Sequence, residues 1–151
     1  MPVITIAPLS LQEIRTLGFT HQGKITYSDL VANYVDNTAK ALFAVAPGDE
    51  VGPFAYRLNT AFDGTSTTSL LLIVGDGVVT NRYLVSKELH NDATEVGFFH
   101  NAAATGPYIY EVADTVDAIF DAVTAAMTDL LTGEIHLYWK FASLLTLDRG
   151  Y

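Results

Sequence analysis

The sequence predicts an all-β fold: an antiparallel β-sandwich, jelly-roll-like, with an N-terminal arm and at most one or two short helices. Three observations predict it. Phe54, Tyr56, Leu58, Thr60 and Phe62 alternate with Ala55, Arg57, Asn59 and Ala61, a period of two that puts the large residues on one face of a sheet. Ile135, Leu137, Trp139 and Phe141 alternate in the same way with Glu134, His136, Tyr138 and Lys140. Between these segments, Leu70 to Val74 is apolar on both faces, as a strand in the middle of a packed sheet is.

The first 23 residues are read as an arm and residues 24–151 as a single sandwich domain. Val3, Ile4, Ile6, Leu9, Leu11, Ile14, Leu17 and Phe19 give the arm more apolar surface than a free tail carries. Ser10 is a candidate N-cap, Glu13 completes a capping box three residues on, and Gly18 ends the resulting helical turns. Two readings fit: the arm packs onto its own domain, or onto a neighbouring subunit. Under the second, these eight residues and Phe98 and Phe99 are the candidate partner-binding set.

Lys24 to Tyr27 reads as a short strand, and Ser28-Asp29 as the start of a turn or brief helix through Asn33. Thr38 to Ala46 follows as a strand with Ala39, Ala41, Phe43 and Val45 on one face, closed by Pro47-Gly48-Asp49. The 54–62 and 70–74 segments meet at Asp63-Gly64, a turn pair suited to positive φ. They either pair directly or cross between two sheets. Gly75-Asp76-Gly77 is a second turn, and Tyr83 to Val85 a short strand.

Residues 86–107 are small and polar and predict a long surface loop, of the kind that is usually functional. Tyr108 to Val112 reads as a strand. Thr115 to Leu131 fits two patterns, since Val116, Ile119, Phe120, Val123, Met127 and Leu130 also have helical spacing. The β-rich context and the β-branched content favour a strand from Thr115 to Thr124, then one helical turn from Met127 to Leu131. Gly133 is turn punctuation before the last strand, where Trp139 is a candidate core residue. Seven to nine strands result, a count that suits a sandwich or jelly roll.

At 151 residues there is room for one domain with a real core. No apolar run is long enough to cross a bilayer as a helix, and the N-terminus is a poor match to a signal peptide; membrane is not an expected partner. Cysteine is absent, which excludes disulfides, thiolate nucleophiles and cysteine-based zinc sites. Eight Lys and Arg against 17 Asp and Glu give a net charge of −9. The basic residues are scattered, so the stripe that neutralises phosphates is missing and nucleic acid is not an expected partner.

Chemistry-bearing patterns are few. His21, His90, His100 and His136 lack the i, i+4 spacing of a helical zinc site. Gly75-Asp76-Gly77 lacks the other elements of a phosphate loop. Asn91, Asp92 and Glu95 offer oxygen ligands without the calcium-loop pattern. Asp117 and Asp121 share a face with Ile119 and Val123, which describes a solvated edge or an interface better than an acid–base pair. No GxSxG elbow occurs. The expectation is a protein with no catalytic residues, no metal and no cofactor.

Several pieces occur in a telling order: ITYSDL at 25–30, NTAFDG at 59–64, LLLIVGDG at 70–77, RYLV at 82–85, DTVDAIF at 114–120 and LTGEIHLYW at 131–139. Together, residues 24–144 resemble a group of tailed-bacteriophage virion accessory proteins of the β-sandwich or jelly-roll type. The resemblance implies a non-enzymatic structural protein, best matched by capsid decoration, or cement, that bridges capsid subunits. It further implies the major capsid protein as partner, a homo-oligomer with a trimer favoured, and a place on the capsid surface after synthesis in the bacterial cytoplasm. The alternative is a receptor- or carbohydrate-binding module on a head fibre or tail. For that reading Tyr34, Tyr108 and Tyr110 form the expected aromatic platform beside the 86–107 loop.

Overall fold

Two antiparallel sheets face one another and bury a single core between them. The structure is a computed structural model and describes residues 5–12, 14, 18–90, 99–101 and 107–143. Its strands are β1 (Thr5–Pro8), β2 (His21–Thr26), β3 (Lys40–Val45), β4 (Asp49–Gly64), β5 (Ser69–Asp76), β6 (Leu84–Glu88), β7 (Phe99–Asn101), β8 (Tyr108–Ile109), β9 (Asp114–Val123) and β10 (Leu130–Ser143). A helix, α1 (Tyr27–Asn33), and a 3-10 turn at Met127–Asp129 complete the elements. The first sheet runs β1-β2-β10-β4-β7, with β8 also paired to β4, and the second runs β3-β9-β5-β6.

The two clearest alternations build the centre of the first sheet. Phe54, Tyr56 and Leu58 of β4 and Ile135, Leu137 and Trp139 of β10 are all buried. Trp139 stacks on Phe54 and Phe43 with ring centroids 5.5 and 5.0 Å away. Thr60, expected on the same face, is exposed, because the β4–β10 register slips between Leu58 and Thr60 and a slip of one residue reverses the face. Gly133 is not a turn but part of this irregular stretch inside β10. Its φ is +139°, and a Cβ there would lie 2.2 Å from the Phe62 ring, so only glycine lets the bulge close over Phe62.

β4 and β5 do not pair. They lie in different sheets, and the 64–69 link carries the chain across. Asp129 fixes that link by accepting hydrogen bonds from the Ser66 and Thr67 amides and the Thr67 hydroxyl, each at 2.8 Å. β5 sits between β9 and β6 with Leu70, Leu72 and Val74 buried, the central-strand placement its composition predicts.

Residues 114–123 form a strand, not a helix, with Val116, Ala118, Phe120 and Ala122 buried, and the short turn at Met127 follows it. In β3 the predicted row holds for Val45, which is buried, and for Phe43, which packs on Trp139, but Ala41 is exposed and Leu42 is buried in its place. A register shift between Ala41 and Phe43 breaks the alternation. The brief helix begins at Tyr27, capped by Thr26: its hydroxyl accepts from the Asp29 amide, and the Asp29 carboxylate accepts from the Thr26 amide at 2.8 Å.

The segment read as an arm is joined to the first sheet. β1 pairs with β2 from Thr5↔Lys24 to Pro8↔His21, and β2 spans positions 23 and 24. Helical bonds run from the Ile14 amide to the Ser10 carbonyl and from the Gly18 amide to the Ile14 carbonyl. Gly18 has φ +76° at their end.

Candidate interaction surface

A β-sandwich has two outer faces, and this chain treats them differently. On the first sheet, Leu9 and Phe19 bury Ala55 and Tyr138, with Ile14 packed alongside. The Phe19 and Tyr138 rings are 6.3 Å apart. Leu9, Ile14 and Phe19 therefore cover the apolar part of that face. Its other part is polar: Glu134 of β10 receives Lys24 at 3.2 Å from β2 and the Asn59 amide at 2.9 Å from β4, while His136 lies 3.0 Å from the same carboxylate. The hydrogen bond from Asn59, with those from Lys24 and His136, outweighs desolvation and holds Glu134 below the usual carboxylate pKa.

The outer face of the second sheet has no such cover among the described residues. β5 and β9 pair from Ser69↔Val123 to Asp76↔Val116 with no register shift, which makes a regular platform. Ile73 and Ile119 stand directly opposite each other, and Leu71 stands opposite Asp121. These three apolar side chains are half-buried by their neighbours, and Val85 and Val123 beside them are exposed. Asp117 lies across from Gly75 on one side and Ala41 on the other. Among the described residues the Gly75 end alone is capped: a Cβ there would meet the Val79 and Thr80 backbone at 2.2 Å, so the 77–82 turn folds back over it.

That turn is anchored from below. The Asp76 carboxylate, almost fully buried, accepts from the Val78 and Val79 amides at 3.0 and 2.7 Å, from the Tyr110 hydroxyl at 3.0 Å and from Arg82. Burial pushes the Asp76 pKa up, and the hydrogen bonds from Arg82, Val79, Val78 and Tyr110 outweigh it, so the carboxyl sits below its ordinary value. Tyr83 bonds the Tyr110 hydroxyl at 2.8 Å, and burial pushes its own pKa up to about 12. Arg82 lies 3.7 Å above the Tyr108 ring. Gly75 and Asp76, read from sequence as part of a turn, instead end β5, and the turn after them is anchored by the Asp76–Arg82 ion pair.

No family model matches the chain, and no curated protein does. Among solved structures it is similar to a chain in the acidic stable capsid structure of Helicobacter pylori bacteriophage KHP30. The two are 16% identical, the match covers 81% of this chain and 85% of that one, and the TM-score is 0.48.

The described members of the candidate partner-binding set differ in exposure. Leu9 and Phe19 are buried within the chain, Ile6 and Ile14 are half-buried, and Leu11 is 73% exposed. Val3, Ile4, Leu17 and Phe98 lie outside the described residues, as do Asn91, Asp92 and Glu95 of the weighed calcium pattern. Phe99 is in β7, paired with Arg57 of β4, with its side chain outside the description. The 86–107 segment is not loop throughout, since β6 extends to Glu88 and β7 adds to the sheet edge. The aromatic platform is also corrected. Tyr34 and Tyr110 are buried, Tyr34 edge-on to Phe120 with centroids 5.0 Å apart. Tyr108 alone of the three is accessible.

At the mouth of the sandwich, Ile6, His21, Phe43, Trp139 and Phe141 line an open apolar cleft of about 200 Å³. His21 stacks on Trp139 at 6.0 Å, and burial lowers its pKa. Sequence gives no sign of the cleft, and marks the second sheet's outer face only as a solvated edge or an interface at Asp117, Ile119, Asp121 and Val123. The signal for the face was present: Leu70–Val74 is apolar at every position, and Ile119 shares a face with Asp117 and Asp121. Among the described residues no three His, Asp or Glu side chains gather as a metal site, and no helix is long and apolar enough to cross a membrane.

Proposed function

We propose that this chain is a non-enzymatic structural protein of a bacteriophage virion, whose work is binding, and more specifically a decoration protein that stabilises the capsid shell by bridging its subunits. The observation that carries this reading is the unequal treatment of the two outer faces. Leu9 and Phe19 cover one sheet, while on the other Leu71, Ile73 and Ile119 stay half-buried with no covering segment among the described residues. Apolar side chains on a regular, open sheet face are the chemistry of a protein–protein contact. The ordered series of sequence pieces resembling virion accessory proteins supports the setting, and repetition over a shell turns modest contacts into firm attachment.

The fibre or tail module that binds a receptor has less support, because two of its three platform tyrosines are in the core. The test is the copy number and position of this chain in purified particles of the phage that encodes it. Stoichiometry matching the three-fold positions of the shell is the expected result. A handful of copies at the tail would replace decoration with the fibre reading, and absence from the particle would end both.

A further inference from the structure

We infer that the outer face of the β3-β9-β5-β6 sheet docks a different protein, one that presents apolar side chains fringed by lysine or arginine, and not a second copy of this chain. The inference rests on the virion reading and names the face and the chemistry of the partner, which in that reading is a shell subunit.

The centre of the face is apolar. Ile73 and Ile119 are a direct cross-strand pair, Leu71 is two residues from Ile73 on the same side, and Val85 and Val123 extend the strip at 46% and 41% exposure. The fringe is acidic. Asp121 faces Leu71 across the β5–β9 ladder, Glu88 faces Leu71 from β6, and Asp117 faces Gly75. β5 and β9 contain no basic residue. Lys40 of β3 pairs with Ala118, and Lys87 of β6 with Leu72. Both partners are buried core residues, so the two lysines occupy inward registers.

A surface with an apolar centre and a one-sign fringe selects its partner by charge. A two-fold contact of this face with itself would put two acidic fringes into one interface, in a chain that already carries a net charge of −9. Like charges brought together at a contact are unfavourable, and a basic fringe is attracted and steered. The unbroken β5–β9 register keeps these side chains on one side of the sheet.

The experiment adds full-length protein back to particles of the encoding phage prepared without it, and measures the bound copies across protein and salt concentration. Three variants are compared: Ile119→Lys, the double variant Asp117→Lys/Asp121→Lys, and Leu131→Lys as a control on the other sheet, where Leu131 is 61% exposed. Each is first shown to be folded by circular dichroism. Ile119→Lys should weaken binding about tenfold or more. The double variant should weaken it and flatten the salt dependence seen with the unchanged protein. Leu131→Lys should bind normally. If all three variants bind like the unchanged protein, the face is wrong and the virion reading stands. If sedimentation shows self-association that Ile119→Lys abolishes, the occupant is a second copy and the inference is overturned. If the unchanged protein does not bind the particles, the inference falls with the reading beneath it.

Discussion

Asp76 is the residue on which one end of the sandwich depends. It is almost fully buried, and so is most of the Arg82 side chain that meets it. Four donors converge on the one carboxylate, and Asp76→Ala would leave Arg82 and Tyr110 facing an acceptor that is gone. Removing one partner of a buried ion pair costs about 3–5 kcal/mol, and urea denaturation of the variant should show a loss in that range. A loss near zero would mean the turn is held by its backbone alone. The same carboxylate sets a response to acid. The Asp76, Glu88 and Glu134 carboxyls are all held below their ordinary values by hydrogen bonds that outweigh burial, and Asp129 is likewise held low by the Ser66 and Thr67 bonds. A carboxyl whose folded pKa is depressed contributes stability above its unfolded value, and that contribution is lost as pH falls through the folded value. Melting temperature should therefore hold from neutrality to about pH 5 and drop below about pH 4. A flat melting temperature down to pH 2 would contradict the assignment of these bonds.

At the scale of elements, the covering segment and the sheet under it can be separated by experiment. Phe19→Ala removes a ring from the edge of the fold, next to Tyr138 and Ala55 but away from the central core. Deleting a buried aromatic costs on the order of 3 kcal/mol, yet the loss should be local. Hydrogen exchange should rise in 5–19 and β2 while the β4–β10 amides keep their protection. Uniform loss of protection would show that the segment is inseparable from the core. What the sequence made legible follows the same division. Alternation at 54–58 and 135–141 gave strands and faces correctly, because a period of two reports parity directly. It failed at Thr60, Leu42 and Gly133, where bulges shift parity by one residue without any compositional mark. It also left the β4–β5 crossing open, since a Gly-containing link looks alike whether it closes a hairpin or changes sheets. Tyr34 and Tyr110 were misjudged because tyrosine is amphipathic, and only the long-range partners, Phe120 and Asp76, decide that these rings are buried. For the interaction face, apolar content at 70–74 is visible, but which sheet Leu9, Ile14 and Phe19 cover depends on their contact with Tyr138, far along the chain.

For the whole molecule, the two sheets share one core. Phe43 of the second sheet stacks on Trp139 of the first, and Tyr34, at the end of α1, packs edge-on to Phe120 of the second sheet within the same core. A domain joined this way should unfold as one unit. Trp139 is the single tryptophan and is 1% exposed, so its fluorescence reports core opening while circular dichroism reports the sheets. The two curves should superimpose in denaturant, and separate midpoints would mean that one sheet outlives the other. The strand order has a further consequence, in time and not in space. β2 lies between β1 and β10, and Ile25 finds its partner at Ile135, far along the chain. During synthesis the first two strands and the segment between them emerge from the ribosome long before β10 exists. Leu9 and Phe19 must wait for Tyr138, and the first sheet cannot close until residues 130–143 are made. Such non-local pairing folds slowly, and the apolar N-terminal stretch stays open to chaperones and to other nascent copies throughout that delay.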